Sequence, residues 1–420
     1  MFVWTGPVLY CQAKFLIPHS SLKTLRVLHL PKWYPHRYDE LDGDFVERHV
    51  AAIAAHGGNI KTAVLFATVA RGPLPKLVEV DEDFSGPWPT LRYYYRAAPT
   101  GLALLDKPLK LLLYCWCLLR GYRRLRRHWG GGRPDLVHVH VLLRTGLFAW
   151  ALRALRGIPF IITEHWTLYL PQRAAHLTGL RRLLTRAVVR RAAALHTVSD
   201  NLRAALAALG AVNAHSVVIP NVVDTELFRP AAVAGAPVGP VLLHVAAFNE
   251  SAKNLCGLLR VVAGLRAQVP GLRLRIGGYG PDEALVRSQA ADLGLLADGT
   301  VTFLGKLTHA EVAEEMRRAA CFVLFSNFEN LPCVLIEAQA SALPAVATRV
   351  GGVPELLPAD GRFGQLVAAG DEPALAAALV AVLFTEYDAA ALRTNAVARF
   401  SMAAVGRAFG ELYRQVLAGK

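Results

Sequence analysis

FVLFSNFENLPCVLIEAQASALPAVATRVGGVPELL, residues 322–357, is the stretch from which the architecture can be read. Phe322 to Phe325 is a short apolar run with the character of a strand buried in a parallel sheet. Ser326 and Asn327 end it, and Phe328-Glu329-Asn330-Leu331 leads on. A helix is expected from about Pro332 to Ala342. Proline suits an early helical position, because the N–H it lacks would have no partner there. Ala345 to Thr348 reads as a second strand, followed by Gly351-Gly352-Val353-Pro354-Glu355.

Two carboxylates in this stretch stand eight residues apart. Glu329 lies on the loop above the strand and Glu337 inside the helix that the loop feeds. Free backbone N–H groups at such a junction favour an anion. Two acids beside an anion-attracting helix start suit a ligand with hydroxyls and a phosphate. The plain alternative is an α/β unit whose glutamates face solvent. The stretch resembles the Glu-x7-Glu signature of retaining glycosyltransferases of the family 4 type (glycosyl transferases group 1). The likeness includes Ser326, Glu329, Glu337-Ala338, the segment from Ala340 to Pro344, Gly351-Gly352 and Glu355. It implies the GT-B fold, two doubly wound Rossmann-like α/β domains facing across a cleft. It also implies sugar transfer from a nucleotide-sugar with retention at the anomeric carbon, the nucleotide-sugar being a co-substrate. No cofactor and no obligatory metal are implied.

The chain has 420 residues, more than one ordinary domain, so two are expected. No apolar run reaches the roughly 18 residues needed to span a bilayer; Leu111 to Leu119 is about half that. Met1 to Ile17 lacks a basic start and a small-residue cleavage site, so no signal peptide is expected, and residues 1–24 read as a poorly defined start. Cys11, Cys115, Cys117, Cys256, Cys321 and Cys333 form no CxxC pair and read as reduced thiols, which points to the cytoplasm. Charge is uneven. Residues 1–230 hold 30 Lys+Arg against 15 Asp+Glu, and residues 231–420 hold 16 against 17. A basic half implies an anionic partner. No recognition motif accompanies the charge, so nucleic acid is the poorest choice.

Leu25 to Leu30 is the first strand, and Val46 to His56 the helix after a loop holding Gly43. Gly43 would let backbone approach a ligand, a plain turn glycine being the alternative; the resemblance places it at the family's ligand-facing glycine loop. Ile60 to Thr68 is a second strand. Asp81-Glu82-Asp83, in an acidic loop from Glu79, and Asp42-Gly43-Asp44 are formally DxD triplets, but solvated loops are the expected reading. Pro108 to Trp129 joins apolar residues to Arg120, Arg123, Arg124, Arg126 and Arg127. It suits either a helix lying on an anionic membrane or a surface helix packing its apolar side inward. His138 and His140 alternate on one strand, with no third metal ligand visible in the sequence. His165 lies just past the end of the strand that starts near Pro159, where such sheets put their chemistry; it aligns with the family's histidine beside the donor sugar. Val217 to Asp224 resembles the family's Ile-Pro-Asn-Gly-Val-Asp segment, with Val222 in place of glycine, and closes a first domain spanning 25–230.

Ala231 to Pro240, rich in Ala, Gly and Pro, is the expected linker. A second domain follows over 241–398. Lys253 opens a helix after its first strand, where a lysine neutralises a diphosphate. The family places an arginine a few residues earlier; here that position is Ala247, so Lys253 carries the charge alone or another cation helps. Gly277 to Pro281 resembles the family's Gly-x-Gly-Pro turn, in which Gly278 and Gly280 let a nucleotide lie close. Residues 399–420 contain a last amphipathic helix that in the family returns to the first domain.

The resulting expectation is a glycosyltransferase in which Glu337 holds the nucleotide ribose and Glu329 a donor-sugar hydroxyl. Lys253 and the N–H groups near Asn330 and Leu331 stabilise the leaving diphosphate, and His165 acts from the facing domain. The expected acceptor is a glycan or lipid-linked glycan intermediate of cell-surface polysaccharide synthesis. The expected place is the cytoplasm, with an anionic surface at the inner face of the membrane as a further partner. A non-catalytic nucleotide-sugar-binding or membrane-docked scaffold of the same fold, and a nucleotide-sugar epimerase, are the alternatives.

Overall fold

The computed structural model describes residues 24–231 and 239–419. The start at 1–23 and most of the expected linker lie outside the described residues. The first domain runs β1 (Leu25–Pro31), α1 (Asp44–His56), β2 (Ile60–Val69), β3 (Val78–Asp83), β4 (Thr90–Tyr95), α2 (Ala103–His128), β5 (Leu136–His140), α3 (Thr145–Arg156), β6 (Phe160–Glu164), α4 (Gly179–Arg191), β7 (Ala194–Thr197), α5 (Asp200–Ala208) and β8 (Ser216–Val218). The second runs β9 (Val241–Val245), α6 (Glu250–Lys253), α7 (Leu255–Leu265), β10 (Arg273–Gly277), α8 (Glu283–Asp292), β11 (Val301–Gly305), α9 (His309–Arg318), β12 (Cys321–Leu324), α10 (Cys333–Ala340), β13 (Ala345–Thr348), α11 (Val353–Leu356), β14 (Gly364–Val367), α12 (Glu372–Leu383), α13 (Ala389–Phe400) and α14 (Met402–Ala418).

The first sheet has the order β3-β4-β2-β1-β5-β6-β7-β8, and the second β11-β10-β9-β12-β13-β14. Every pairing is parallel except β3 with β4. In each sheet the order reverses beside the domain's first strand, and a crevice opens there beyond the carboxyl ends. Central strands are buried on both faces, as in Cys321–Leu324, which reads as a continuous apolar run for that reason, and in Leu136–His140, where buried histidines interrupt the run. The two domains are the GT-B arrangement. α14 packs on the first domain: Phe409, Leu412 and Tyr413 share a core with Ala52 and Ile53 of α1 and Leu136 of β5.

Three local expectations are corrected. The acidic stretch is the edge strand β3, not a solvated loop. Asp81 stands opposite Arg92 of β4, Arg37 Nη2 donates to Glu79 at 3.0 Å, and Glu82 pairs with Arg124. Its charges are held by cations, and a charged edge blocks further strand pairing. The key helix is α10, with Pro332 as its N-cap and Ala342 already left-handed at φ 59°. α2 begins at Ala103 and carries Pro108 in its second turn, where the ring removes the bond that an N–H would make to the Leu104 carbonyl.

Candidate active site

A cavity of about 620 Å³ lies between the domains, lined by the Gly43 loop and α1 on one side and by Ala247, Gly278, Gly280, Lys306 and Glu337 on the other. Two glycines shape it. Gly43 has φ 70°, and a Cβ there would meet the Trp33 carbonyl carbon at 2.3 Å. Gly278 has φ 134°, and a Cβ there would come within 1.9 Å of the Ala246 carbonyl oxygen. Both positions require glycine, and both bring bare backbone to the cavity wall.

Glu337 projects from α10 into this wall and is 3% exposed. Its Oε1 is 2.5 Å from Arg48 Nη1 of α1. Arg48 Nη2 also donates to Asp44 Oδ2 at 2.7 Å and lies 2.6 Å from His309 Nε2. Burial works against the Arg48 charge, but Glu337 and Asp44 outweigh it and raise its pKa. Burial likewise pushes the Asp44 carboxyl up, and the His309 hydrogen bond with the Arg48 charge brings it below its ordinary value. The Asp42-Gly43-Asp44 triplet is therefore part of the cleft rather than a solvated loop. Arg48 and His309 were unforeseen, and Asp44 was read from the sequence only as part of that triplet. The only signal was the i,i+4 spacing of Asp44 and Arg48.

Glu329 sits in the loop before α10, largely buried, in a salt bridge with Lys253 at the end of α6. Ser326 Oγ donates to the same oxygen, Oε1, at 2.7 Å. Asn249 caps α6 through its side chain and Asn254 turns left-handed at φ 49°, which fixes where Lys253 points. Lys253 and Glu329 thus form one unit within the second domain, distinct from the Arg48–Glu337 pair.

Asn330, Leu331 and His165 meet at the seam between domains. Asn330 Nδ2 donates to the His165 carbonyl at 3.0 Å, and Ser199 Oγ donates to Asn330 Oδ1 at 2.9 Å. Asn221 Nδ2 donates to the Leu331 carbonyl at 2.7 Å. Among the described residues no backbone carbonyl takes the N–H of Asn330 or Leu331. The His165 ring is buried, with Phe45 at 4.7 Å and His49 at 5.4 Å between centroids. Its Nε2 has no partner among the described residues, and burial, with His49 and His196, holds its pKa well below 6.5. His165 is therefore a neutral ring at the seam and does not line the 620 Å³ cavity.

Behind His165 lies a layer of buried histidines. The third ring beside His138 and His140, which the sequence concealed, is His29 of β1; one ring nitrogen from each lies within 4.8 Å of the others. Parallel registry puts His29 opposite His138. Both nitrogens of His138 are engaged, by Tyr413 Oη at 2.7 Å and Thr163 Oγ1 at 2.5 Å, so the group is a hydrogen-bonded network tying α14 to the sheet. Glu164, also unforeseen, accepts from the backbone N–H groups of Leu142, His165 and Trp166 and joins the loops after β5 and β6. Burial raises its pKa to about 7.

A family model described as "Glycosyl transferase 4-like domain" matches residues 44–222, and one described as "Glycosyl transferases group 1" matches residues 239–384. The phosphatidyl-myo-inositol mannosyltransferase of Mycobacterium leprae is 34% identical over 67% of its own length and 62% of this chain. Sucrose-phosphate synthase from Thermosynechococcus elongatus has the same fold, with TM-score 0.71 at 22% identity over 94% of this chain and all of that one. So does Anabaena HepE in complex with UDP and glucose, with TM-score 0.69 at 15% identity over 93% of this chain and all of that one. The crevice between two wound sheets, the acidic loop-to-helix element on its wall and these likenesses agree: the chain belongs to the group 1 glycosyltransferases of the family 4 type.

Proposed function

We propose that the protein moves a sugar from a nucleotide-sugar to a glycan or lipid-linked glycan intermediate of cell-surface polysaccharide synthesis, with retention at the anomeric carbon. The observation that carries this is the interdomain cavity, where Glu337 and the bare backbone at Gly278 on one wall face the bare backbone at Gly43 on the other. The nucleoside lies against Gly278 and Gly280, and Glu337 accepts from the ribose hydroxyls. Glu329 accepts from a hydroxyl of the donor sugar. As the bond from the anomeric carbon to the diphosphate breaks, the electron pair stays on the phosphate oxygen. Lys253 and the N–H groups of Asn330 and Leu331 stabilise that charge. His165 contributes its backbone carbonyl to the Asn330 bond, which holds the Asn330–Leu331 loop against the first domain. The HepE complex with UDP and glucose supports a nucleotide-sugar donor. No metal is required in this reading, so a chelator leaves the rate unchanged.

A lipid-linked acceptor reached from the inner face of a membrane is supported by α2. No helix among the described residues is long and apolar enough to cross a membrane. One face of α2 packs inward through Tyr114, Cys117, Leu118, Tyr122 and Leu125. The other leaves Leu104, Leu111, Leu112, Trp116 and Leu119 exposed, beside Arg120, Arg123 and Arg127. Leucines next to arginines suit an anionic bilayer surface. The mycobacterial relative is named for a phosphatidylinositol acceptor, which supports a lipid-linked one here.

The test is a panel of nucleotide-sugars scored for protection against heat unfolding, then turnover with the best donor. Glu337→Ala is expected to weaken donor binding about tenfold or more. Lys253→Ala is expected to lower turnover by about 10²-fold. Near-normal donor affinity and turnover in both variants would remove these roles.

A further inference from the structure

A second cavity, of about 370 Å³, lies wholly in the first domain at the carboxyl ends of β1, β2, β4, β5 and β6. Four cations line it: Lys32, Arg71, Arg144 and Arg181. They come from four separate segments, so the grouping is invisible in the sequence. Among the described residues none of the four is in a salt bridge, whereas Arg48, the arginine that lines the interdomain cavity, is in two. The one carboxylate in the lining, Asp42, lies 3.3 Å from His36 Nε2. Lys32 Nζ rests 3.2 Å from the centre of the Trp166 ring. Burial, with Arg144 and Arg181 nearby, lowers the pKa of Lys32 to about 8, so an arriving anion would strengthen its charge. Arg144 is held at φ 66°, a conformation that residues other than glycine rarely adopt, just before α3. Glu164 fixes the loops that carry Arg144 and Trp166 through its three backbone hydrogen bonds.

On the reading that the chain transfers a sugar, we propose that this pocket receives a phosphate or diphosphate group carried by the acceptor. A single carboxylate would not need four convergent cations, whereas a phosphate or diphosphate has the charge and the several oxygens to engage them, arginine doing so in forked pairs. The group is not the donor's own diphosphate. The pocket shares only Asp42 with the interdomain cavity, and its cations come from the opposite domain to Lys253. Asp42 forms the common wall, so an anchored phosphate places the rest of the acceptor beside the donor. Tyr114 of α2 also lines the pocket, which sets the exposed leucines of that helix next to it. A phosphate on a lipid and a phosphate on a soluble sugar present the same chemistry here.

The test measures binding of inorganic pyrophosphate and glycerol phosphate by tryptophan fluorescence and heat unfolding, with UDP saturating to fill the donor cavity. Saturable binding that falls at least tenfold in Arg144→Gln and in Arg181→Gln, and persists in Lys253→Ala, is the expected result. Arg181 is exposed on α4, so that variant remains informative if Arg144→Gln does not fold. No binding by the wild type, or equal binding in both arginine variants, overturns the proposal. Protection by UDP alone is scored separately, so failure of the donor reading is seen independently. Vesicles of phosphatidylcholine with and without phosphatidic acid identify the source. Retention on the acidic vesicles that is weakened by Arg144→Gln assigns a lipid phosphate; binding of glycerol phosphate without vesicle retention assigns a soluble acceptor.

Discussion

Glu337 carries a buried negative charge whose only cationic neighbour within salt-bridge distance, among the described residues, is Arg48. On the proposed function, a ribose hydroxyl that approaches Glu337 meets an oxygen already held by a guanidinium, and donor binding and the contact between domains would share one carboxylate. Breaking such a pair from one side leaves an uncompensated charge. Arg48→Ala should therefore cost about 3 kcal/mol of stability. With Glu337→Gln the double variant should lose less than the sum of the two, by about 1–3 kcal/mol. Denaturant unfolding of the four proteins checks this, and additivity within about 0.5 kcal/mol would mean that the pair is not coupled. Glu329 and Glu337 were legible because they stand on one continuous strand-loop-helix element with a recognisable spacing. Arg48 was not, because it reaches Glu337 from α1 in the other domain, nor was His309, which meets Arg48 and Asp44 from α9. The cation missing at Ala247 was visible as a gap, but Lys306, which lines the cavity near it, carries no motif of its own.

At the scale of elements, α2 shows how far periodicity goes. Its sequence offered inward packing and membrane docking as rivals, and the helix has faces suited to both. The inward face includes Gly121, where a Cβ would meet Leu65 Cδ1 at 2.3 Å. Leu118→Ala is expected to cost about 2–5 kcal/mol through the cavity it leaves. Leu111→Asp with Leu112→Asp, on the exposed face, should change stability by no more than about 0.5 kcal/mol each and yet abolish retention on anionic vesicles. Sedimentation with vesicles at low salt reads the second effect, and undiminished retention would take α2 out of membrane contact. Buried parallel strands were legible as short apolar runs. The β3–β4 hairpin was not, since β3 is made of charges paired across the sheet edge and β4 holds three consecutive tyrosines without a strand's alternation.

Across the whole molecule, the histidine layer couples folding to pH. His29, His138, His140, His165 and His196 are buried in the first domain beneath α1 and α14, and His49 joins them from the buried face of α1, with Phe409 and Tyr413 closing over the layer. Burial lowers every one of their pKa values: His29 and His196 to about 3, His49 to about 4, and the other three well below 6.5. In the unfolded chain each binds a proton near pH 6.5, while the folded chain refuses it. The unfolded state therefore holds more protons in the window below 6.5, and stability falls as pH falls. Each group contributes up to about 1.4 kcal/mol per pH unit, so His29, His49 and His196 alone remove about 5 kcal/mol between pH 6.5 and 5, and the other three act in the same direction. That is comparable with the whole stability of a typical domain. The first domain should unfold with a midpoint near pH 5, above the range in which ordinary carboxylates titrate, and release α14 with it. Melting temperature followed from pH 7.5 to 4.5 should drop steeply below 6.5. A flat profile down to pH 5, or imidazole signals that titrate near 6.5 in the folded protein, would show that these rings are not sealed from water as the packing of α14 requires.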